Sequence, residues 1–169
     1  MRQILFFVLS AFLLGCNNPS STASQSPKID TSTGTYRVTS DNESMNVAIS
    51  MAKGSIDQFD KAFESRDSAF SDFAVKKKYY TEEGGEHMWI GVTKIVDGNY
   101  EGTVNNDAEA TREVKYGDSV MVRKDEITDW MYLENNVLRG GYTIREIRRH
   151  LSKEEQIQFD KDLSFKIED

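Results

Sequence analysis

The sequence predicts an α+β domain with an N-terminal helix, an antiparallel meander of about five or six strands, open or barrel-like, and two C-terminal helices. Three observations predict it. Met45, Ile49, Ala52, Ile56, Phe59 and Phe63 recur every three or four residues, the period of a helix with one buried face. From Phe73 to Leu138 the period falls to two, broken by Gly, Asn and Asp turns. Beyond Gly141, a Ser or Thr twice stands three residues before a Glu, at Thr143 with Glu146 and at Ser152 with Glu155, the spacing of a capping box.

Each element follows in order. Ser40 and Glu43 also have capping-box spacing, so the first helix is expected to start there and run to about residue 68. Its apolar stripe covers only about three heptads and Gly54 interrupts it, which favours packing on the domain's own sheet over pairing with a partner helix. Phe73, Val75, Lys77 and Tyr79 then alternate with Ala74, Lys76, Lys78 and Tyr80 as in a strand, and Glu83-Gly84-Gly85-Glu86 turns the chain back. The returning strand, His87 to Val96, puts Met88, Ile90, Val92 and Val96 on one face and His87, Trp89, Gly91 and Thr93 on the other. Asp97-Gly98-Asn99 is a hairpin turn into a strand from Tyr100 to Asn105. Ser119 to Arg123 and Trp130 to Leu133 supply two more strands, and Glu134-Asn135-Asn136 turns into Val137-Leu138. The segment Asn105-Asn106-Asp107-Ala108-Glu109 has oxygen side chains at alternate positions, as calcium loops do. It lacks the glycine at the sixth position and the acidic twelfth residue, and is read as a turn leading into a helix.

Ahead of residue 41 the composition changes. Residues 16–40 are rich in Ser, Thr and Asn, carry both prolines and have almost no large apolar side chains, the composition of a tether. Residues 41–169 have the length of a single domain. Leu13-Leu14-Gly15-Cys16, behind the apolar run Ile4 to Leu14 and the basic Arg2, resembles the lipobox of a bacterial lipoprotein signal peptide. The run of about eleven residues is short against the roughly 20 that a spanning helix needs. The resemblance implies that residues 1–15 are removed and that Cys16 carries a diacylglyceryl thioether and an acylated amine, palmitate being the usual chain. Two or three acyl chains hold a protein stably to a bilayer without spanning it. Asn17 is not the aspartate that retains lipoproteins of enterobacterial type in the inner membrane. The expected location is therefore the periplasmic face of the outer membrane.

Composition closes several branches of chemistry. Cys16 is the only cysteine, so the domain is expected to have no disulfide, thiolate nucleophile or cysteine-bearing zinc site. His87 and His150 lack any paired spacing for a metal, and no cofactor motif is present. The formal net charge is -7, and losing Arg2 leaves 20 basic against 28 acidic residues, which is not a nucleic-acid binder's balance. Arg139, Arg145, Arg148, Arg149 and Lys153 cluster near the C-terminus, and on a helix from Thr143 to Leu151 they fall mostly away from the apolar Ile144, Ile147 and Leu151, which reads as a solvated helix face in preference to an anion site.

Five spaced stretches carry a resemblance to a family: Phe73-Ala74-Val75-Lys76-Lys77, Glu86-His87-Met88-Trp89, Gly102-Thr103-Val104-Asn105-Asn106-Asp107, Ile127-Thr128-Asp129-Trp130-Met131 and Gly140-Gly141-Tyr142-Thr143-Ile144-Arg145. In this order they resemble the YegJ-like family of bacterial proteins, a domain of unknown function, over roughly residues 70–160. The resemblance supplies no activity, substrate or catalytic residue.

The polar and aromatic members of those stretches are the candidate site, and three readings of them stand. As a hydrolase-type enzyme, His87 would be a general base, oriented by Asp107 or Asp129, with Arg145 holding an anionic group. As a binding or envelope-associated module, Trp89, Trp130, Tyr132 and Tyr142, with Arg145, would recognise a peptide, a glycan or another envelope protein. As structural residues, both tryptophans would be core and Asp129 would cap the turn before Trp130.

Overall fold

A computed structural model of the protein describes residues 28–30, 35–37, 42–82 and 84–168. Cys16 and the signal-like segment lie outside the described residues, as does Ser40. Within the stretch read as a tether, β1 (Lys28–Asp30) and β2 (Thr35–Arg37) form an antiparallel pair.

The domain proper begins with α1 (Glu43–Ser65). Its cap is Asn42, whose side-chain oxygen accepts the Met45 N–H at 3.0 Å, and not the expected Ser40. The helix ends at Arg66, in the left-handed conformation at φ 52°. β3 (Phe70–Tyr79), β4 (Glu86–Val96), β5 (Asn99–Val104) and β6 (Ser119–Val122) follow as a meander. A short 3-10 turn, Lys124–Glu126, then leads to β7 (Ile127–Glu134) and β8 (Val137–Gly140). α2 (Tyr142–Arg149) and α3 (Lys153–Asp162) complete the α+β architecture, with the expected Ser152–Glu155 capping box present at α3.

The six strands form one antiparallel sheet in the order β6-β5-β4-β3-β7-β8. The barrel-like alternative does not occur, because β6 and β8 are not paired with each other. The sheet is nevertheless strongly coiled. Val122 pairs with Tyr100, itself opposite Ile95, whereas Ile127 pairs with Lys77, itself opposite Met88. On a flat sheet those ends would lie about 30 Å apart, but the five steps joining them reach at most about 18 Å. Coiling closes that gap. Bulges at Val92/Lys94 and Lys76/Lys77 increase the local twist, and the first breaks the expected alternation before Val96.

One other expectation fails here for a local reason, and a neighbouring one holds. Residues 105–118 form an irregular loop and not the entry to a helix. The Glu86 carboxylate holds that loop by accepting the backbone N–H groups of Glu109, Ala110 and Thr111. The Glu134 turn forms as read, with Asn135 and Asn136 both left-handed at φ 50° and 65°, the conformation of a two-residue hairpin.

The core lies between α1 and one face of the coiled sheet. Phe59 is fully buried at its centre, with ring centroids 5.5 Å from Phe73, 5.7 Å from Tyr100 and 6.0 Å from Trp130. Trp130 is 1% exposed, and its indole N–H donates to the Ala52 carbonyl at 2.9 Å, so a helix-to-sheet hydrogen bond accompanies the packing. Beyond β8, Leu138 and the Asn136 carbonyl pair with the backbone of Lys166, so the C-terminal segment covers that sheet edge.

Phe59→Ala is expected to lower unfolding stability by about 3 to 5 kcal/mol, since a cavity would open among the rings of Phe63, Phe73, Tyr100 and Trp130. Met121→Ala, on an outer strand and 51% exposed, is expected to change it by less than about 0.5 kcal/mol. Urea titration of both variants checks the contrast.

Candidate functional site

β3 is the strand from which the site is built, because it pairs with β4 on one side and β7 on the other. Residues opposite each other across the three strands share a face. Lys76 stands opposite Trp89 and Asp129, and Lys78 stands opposite His87. Val75, Ile90 and Trp130 occupy the opposite face, under α1. The candidate residues are therefore divided by the pleat of the sheet.

Asp129 is completely buried and is not a capping residue for the turn before Trp130 alone. Its Oδ1 accepts the backbone N–H groups of Trp130 at 2.8 Å and Tyr142 at 3.1 Å. Its Oδ2 accepts the Thr143 backbone N–H at 2.8 Å and the Thr143 hydroxyl at 2.6 Å. The carboxylate thus caps α2 from outside the helix, where two donors and the helix dipole favour negative charge. This replaces the expected Thr143–Glu146 capping box, since the helix starts at Tyr142 after a left-handed Gly141 at φ 62° that has no capping side chain. Gly140 is also left-handed at φ 69°, and a Cβ there would stand 2.3 Å from the Trp130 carbonyl. Glycine is required for α2 to reach Asp129.

Lys76 completes the group. Its Nζ donates to Thr143 Oγ1 at 2.8 Å and lies 4.8 Å from the centroid of the Trp89 ring. Burial pushes the Lys76 ammonium below its ordinary value, against the attraction of Asp129. Burial likewise raises Asp129, against the pull of Lys76 and its hydrogen-bond donors.

His87 is partly buried beside this group. Its Nδ1 is 2.9 Å from Thr128 Oγ1, and that hydroxyl donates to the Lys76 carbonyl at 3.2 Å. The hydroxyl proton being used there, Nδ1–H is the donor to Thr128, which leaves the lone pair on Nε2. No hydrogen bond to Nε2 is made among the described residues. Burial, then Lys76 and Lys78, push the imidazole down to about 4, so it is neutral near pH 7.

The remaining candidates lie elsewhere. Asp107 is exposed in the loop after β5, and neither it nor Asp129 is bonded to His87 among the described residues. Arg145 donates to the carbonyl oxygens of Gly140, Leu138 and Glu168, clamping β8 and the C-terminal segment to α2. Tyr142 stands edge-on to Trp130 at 5.8 Å, and its hydroxyl accepts from Ser55 at 2.8 Å. Tyr132 stacks on Trp130 at 6.0 Å. Trp89 is thus separated from the other three aromatic residues. The C-terminal arginines are paired: Arg139 with Glu134, Arg148 with Asp160 and Arg149 with Glu146.

Sequence reasoning passed over Lys76, Thr128 and Thr143. Lys76 reads as one of three consecutive lysines, and only the central place of β3 sets it apart. It also passed over Ser44, His150 and Glu146, which meet where α1 and α2 adjoin. Both Ser44 Oγ, at 3.2 Å, and Glu146 Oε1, at 2.7 Å, contact the same His150 nitrogen, Nε2. A catalytic triad needs the serine and the carboxylate on opposite nitrogens. Among the described residues, no three His, Cys, Asp or Glu side chains are grouped to hold a metal ion.

Two expectations follow. Asp129→Asn is expected to cost about 3 kcal/mol or more in urea titration, because an amide cannot accept four donors and its NH2 would face two of them. For His87 the folded value lies below the unfolded one. As pH falls from 6.5 toward about 4 the unfolded chain takes up a proton that the folded chain excludes, so stability declines across that window and levels off below it. Wild type minus His87→Gln, measured as melting temperature against pH, isolates this contribution, and an imidazole NMR titration with its midpoint near 6.5 would contradict it.

Comparison with known proteins places this arrangement. Over 115 residues, 68% of this chain and 74% of the other, the protein is 32% identical to the uncharacterized protein YegJ of Escherichia coli strain K12. Over 95 residues it is 37% identical to a longer Neisseria meningitidis serogroup B protein, named provisionally as an ankyrin repeat protein; the match covers 53% of this chain and 37% of that one. No solved structure matches significantly. A family model described as an uncharacterized protein conserved in bacteria, DUF2314, matches residues 42–167, from the cap of α1 to the segment paired with β8, and the chain belongs to that family.

Proposed function

We propose that the protein is a lipoprotein anchored through Cys16 to the periplasmic face of the outer membrane, and that its domain is a binding module for an envelope protein or peptide. The observation that carries the binding reading is the position of Trp89. It is a partly exposed indole on the sheet face turned away from α1, beside a neutral His87 whose Nε2 can accept a hydrogen bond. Aromatic side chains presented on a rigid strand make effective interface anchors, because little conformational freedom is lost on contact. The residues that a hydrolase would need are committed differently: Asp129 to α2 and Arg145 to three carbonyl groups. The anchoring reading is supported by the lipobox-like Leu13-Leu14-Gly15-Cys16. Among the described residues, no helix is long and apolar enough to cross a membrane.

The full chain expressed in a Gram-negative host is expected to incorporate labelled palmitate and to sediment with outer-membrane vesicles, and Cys16→Ala to lose both properties. Cross-linking in such cells is expected to recover a specific envelope protein with wild type and at least about tenfold less of it with Trp89→Ala, at unchanged melting temperature. Equal recovery would remove Trp89 from the interface, and absence of label would remove the anchor.

A further inference from the structure

Lys76, Thr143 and Asp129 form a continuous hydrogen-bonded chain that capping α2 does not require. Asp129 already accepts three backbone N–H groups and one hydroxyl without Lys76. Lys76 reaches it only through Thr143, by a 2.8 Å bond followed by one of 2.6 Å. Nζ donates to the hydroxyl and the hydroxyl donates to Oδ2, so moving each proton one place along its bond leaves a neutral amine and a carboxylic acid. Lys76 also remains partly exposed, and the Trp89 ring stands beside Nζ at 4.8 Å.

We infer that the Lys76 amine is a nucleophile toward carbonyl compounds, deprotonated by Asp129 through Thr143, and that Trp89 is the wall against which such a compound lies. The class of ligand is an aldehyde or ketone with an apolar or ring-shaped body, an open-chain sugar included. The amine lone pair forms a bond to the carbonyl carbon as the C=O π pair moves to oxygen. A proton from nitrogen neutralises that oxygen and gives a carbinolamine. Loss of the oxygen as water, taking the second nitrogen proton, leaves a C=N imine. Amine plus carbonyl thus gives imine plus water, and no oxidant or reductant is needed.

The surroundings suit the transfer. Burial lowers the ammonium's proton affinity and raises the carboxylate's, which brings the two ends of the chain toward balance. The other titratable groups on this part of the sheet are His87, which is neutral, and Lys78, whose Nζ lies 5.3 Å from the Tyr80 ring. Neither supplies a negative charge that would hold the proton on Lys76. This inference goes beyond the binding proposal and does not depend on the lipid or on a protein partner.

The test is benzylation. The full chain, purified in detergent, is treated at pH 7 with benzaldehyde and cyanoborohydride, which reduces each imine to a stable benzyl-lysine, and the initial rate at every lysine is read by peptide mass spectrometry. Lys76 is expected to react at least about tenfold faster than the median of the other eleven lysines, because the Thr143–Asp129 chain can take up the proton that keeps the others unreactive. Thr143→Ser is expected to keep that excess and Thr143→Val to lose it, with circular dichroism confirming the fold of each. A wild-type rate at Lys76 at or below the median overturns the proposal outright. A folded Thr143→Val chain that labels like wild type overturns the relay. Either result leaves the cross-linking experiment on Trp89 untouched, so failure of one reading is distinguishable from failure of the other.

Discussion

The buried carboxylate of Asp129 is the constraint on which the second half of the domain depends. It ties the start of α2 to β7, and it can do so only because Gly140 and Gly141 are both left-handed and let the chain turn back within two residues. Once α2 is fixed there, Thr143 is presented to Lys76. Tyr142 is placed edge-on to Trp130, and Arg145 is placed to clamp β8 and the C-terminal segment. An isolated carboxylate in such a place would be very unfavourable, and four donors with a lysine nearby are what make it tolerable. The same group therefore sets the helix, the sheet edge and the polar face.

The coil of the sheet is the second constraint, and it couples the two halves. Only residues 123–126 carry the chain from β6 to β7, so the sheet must wrap to bring those strands within reach. Wrapping creates a concave face, and α1 fills it with Phe59. Polar links hold the same join from outside: Lys124 bridges Asp57 and Asp60, and the Tyr100 hydroxyl donates to Asp60 at 2.7 Å. Lys124 is exposed enough that these ion pairs add little stability by themselves. Their contribution is to fix where the connection lies over α1.

The pattern of elements was legible in the sequence because it rests on local rules. The stripe from Met45 to Phe63, the Asn-rich and Gly-rich turns and the Ser152 cap all act within a few residues, and each is present. The α2 cap was not legible, because its carboxylate comes from a strand thirteen or fourteen residues earlier and only the fold brings it there. The open end of the sheet was not legible either: alternation is the same in a coiled open sheet and in a closed barrel. The division of the candidate residues follows from strand order. Alternation places His87, Trp89 and Lys76 each on some face of its own strand, but only the pairing of β3 between β4 and β7 puts Lys76, Trp89 and Asp129 together and leaves Trp130 on the other side.

That division bears on what the polar face is for. Replacing a buried ion pair with apolar side chains of similar size is often neutral or stabilising, so fold stability alone is a weak reason for a lysine in the middle of a sheet. Asp129 has a complete set of donors without it, and Trp89 would pack as well against an aliphatic neighbour. Lys76 instead holds a partly buried amine on the face that α1 does not use, between an indole and a hydroxyl, with its proton linked to a carboxylate that solvent does not reach. On the α1 face, aromatic rings and aliphatic side chains surround Phe59 and the fit is one of shape. On the Lys76 face, the fit is one of charge and proton position.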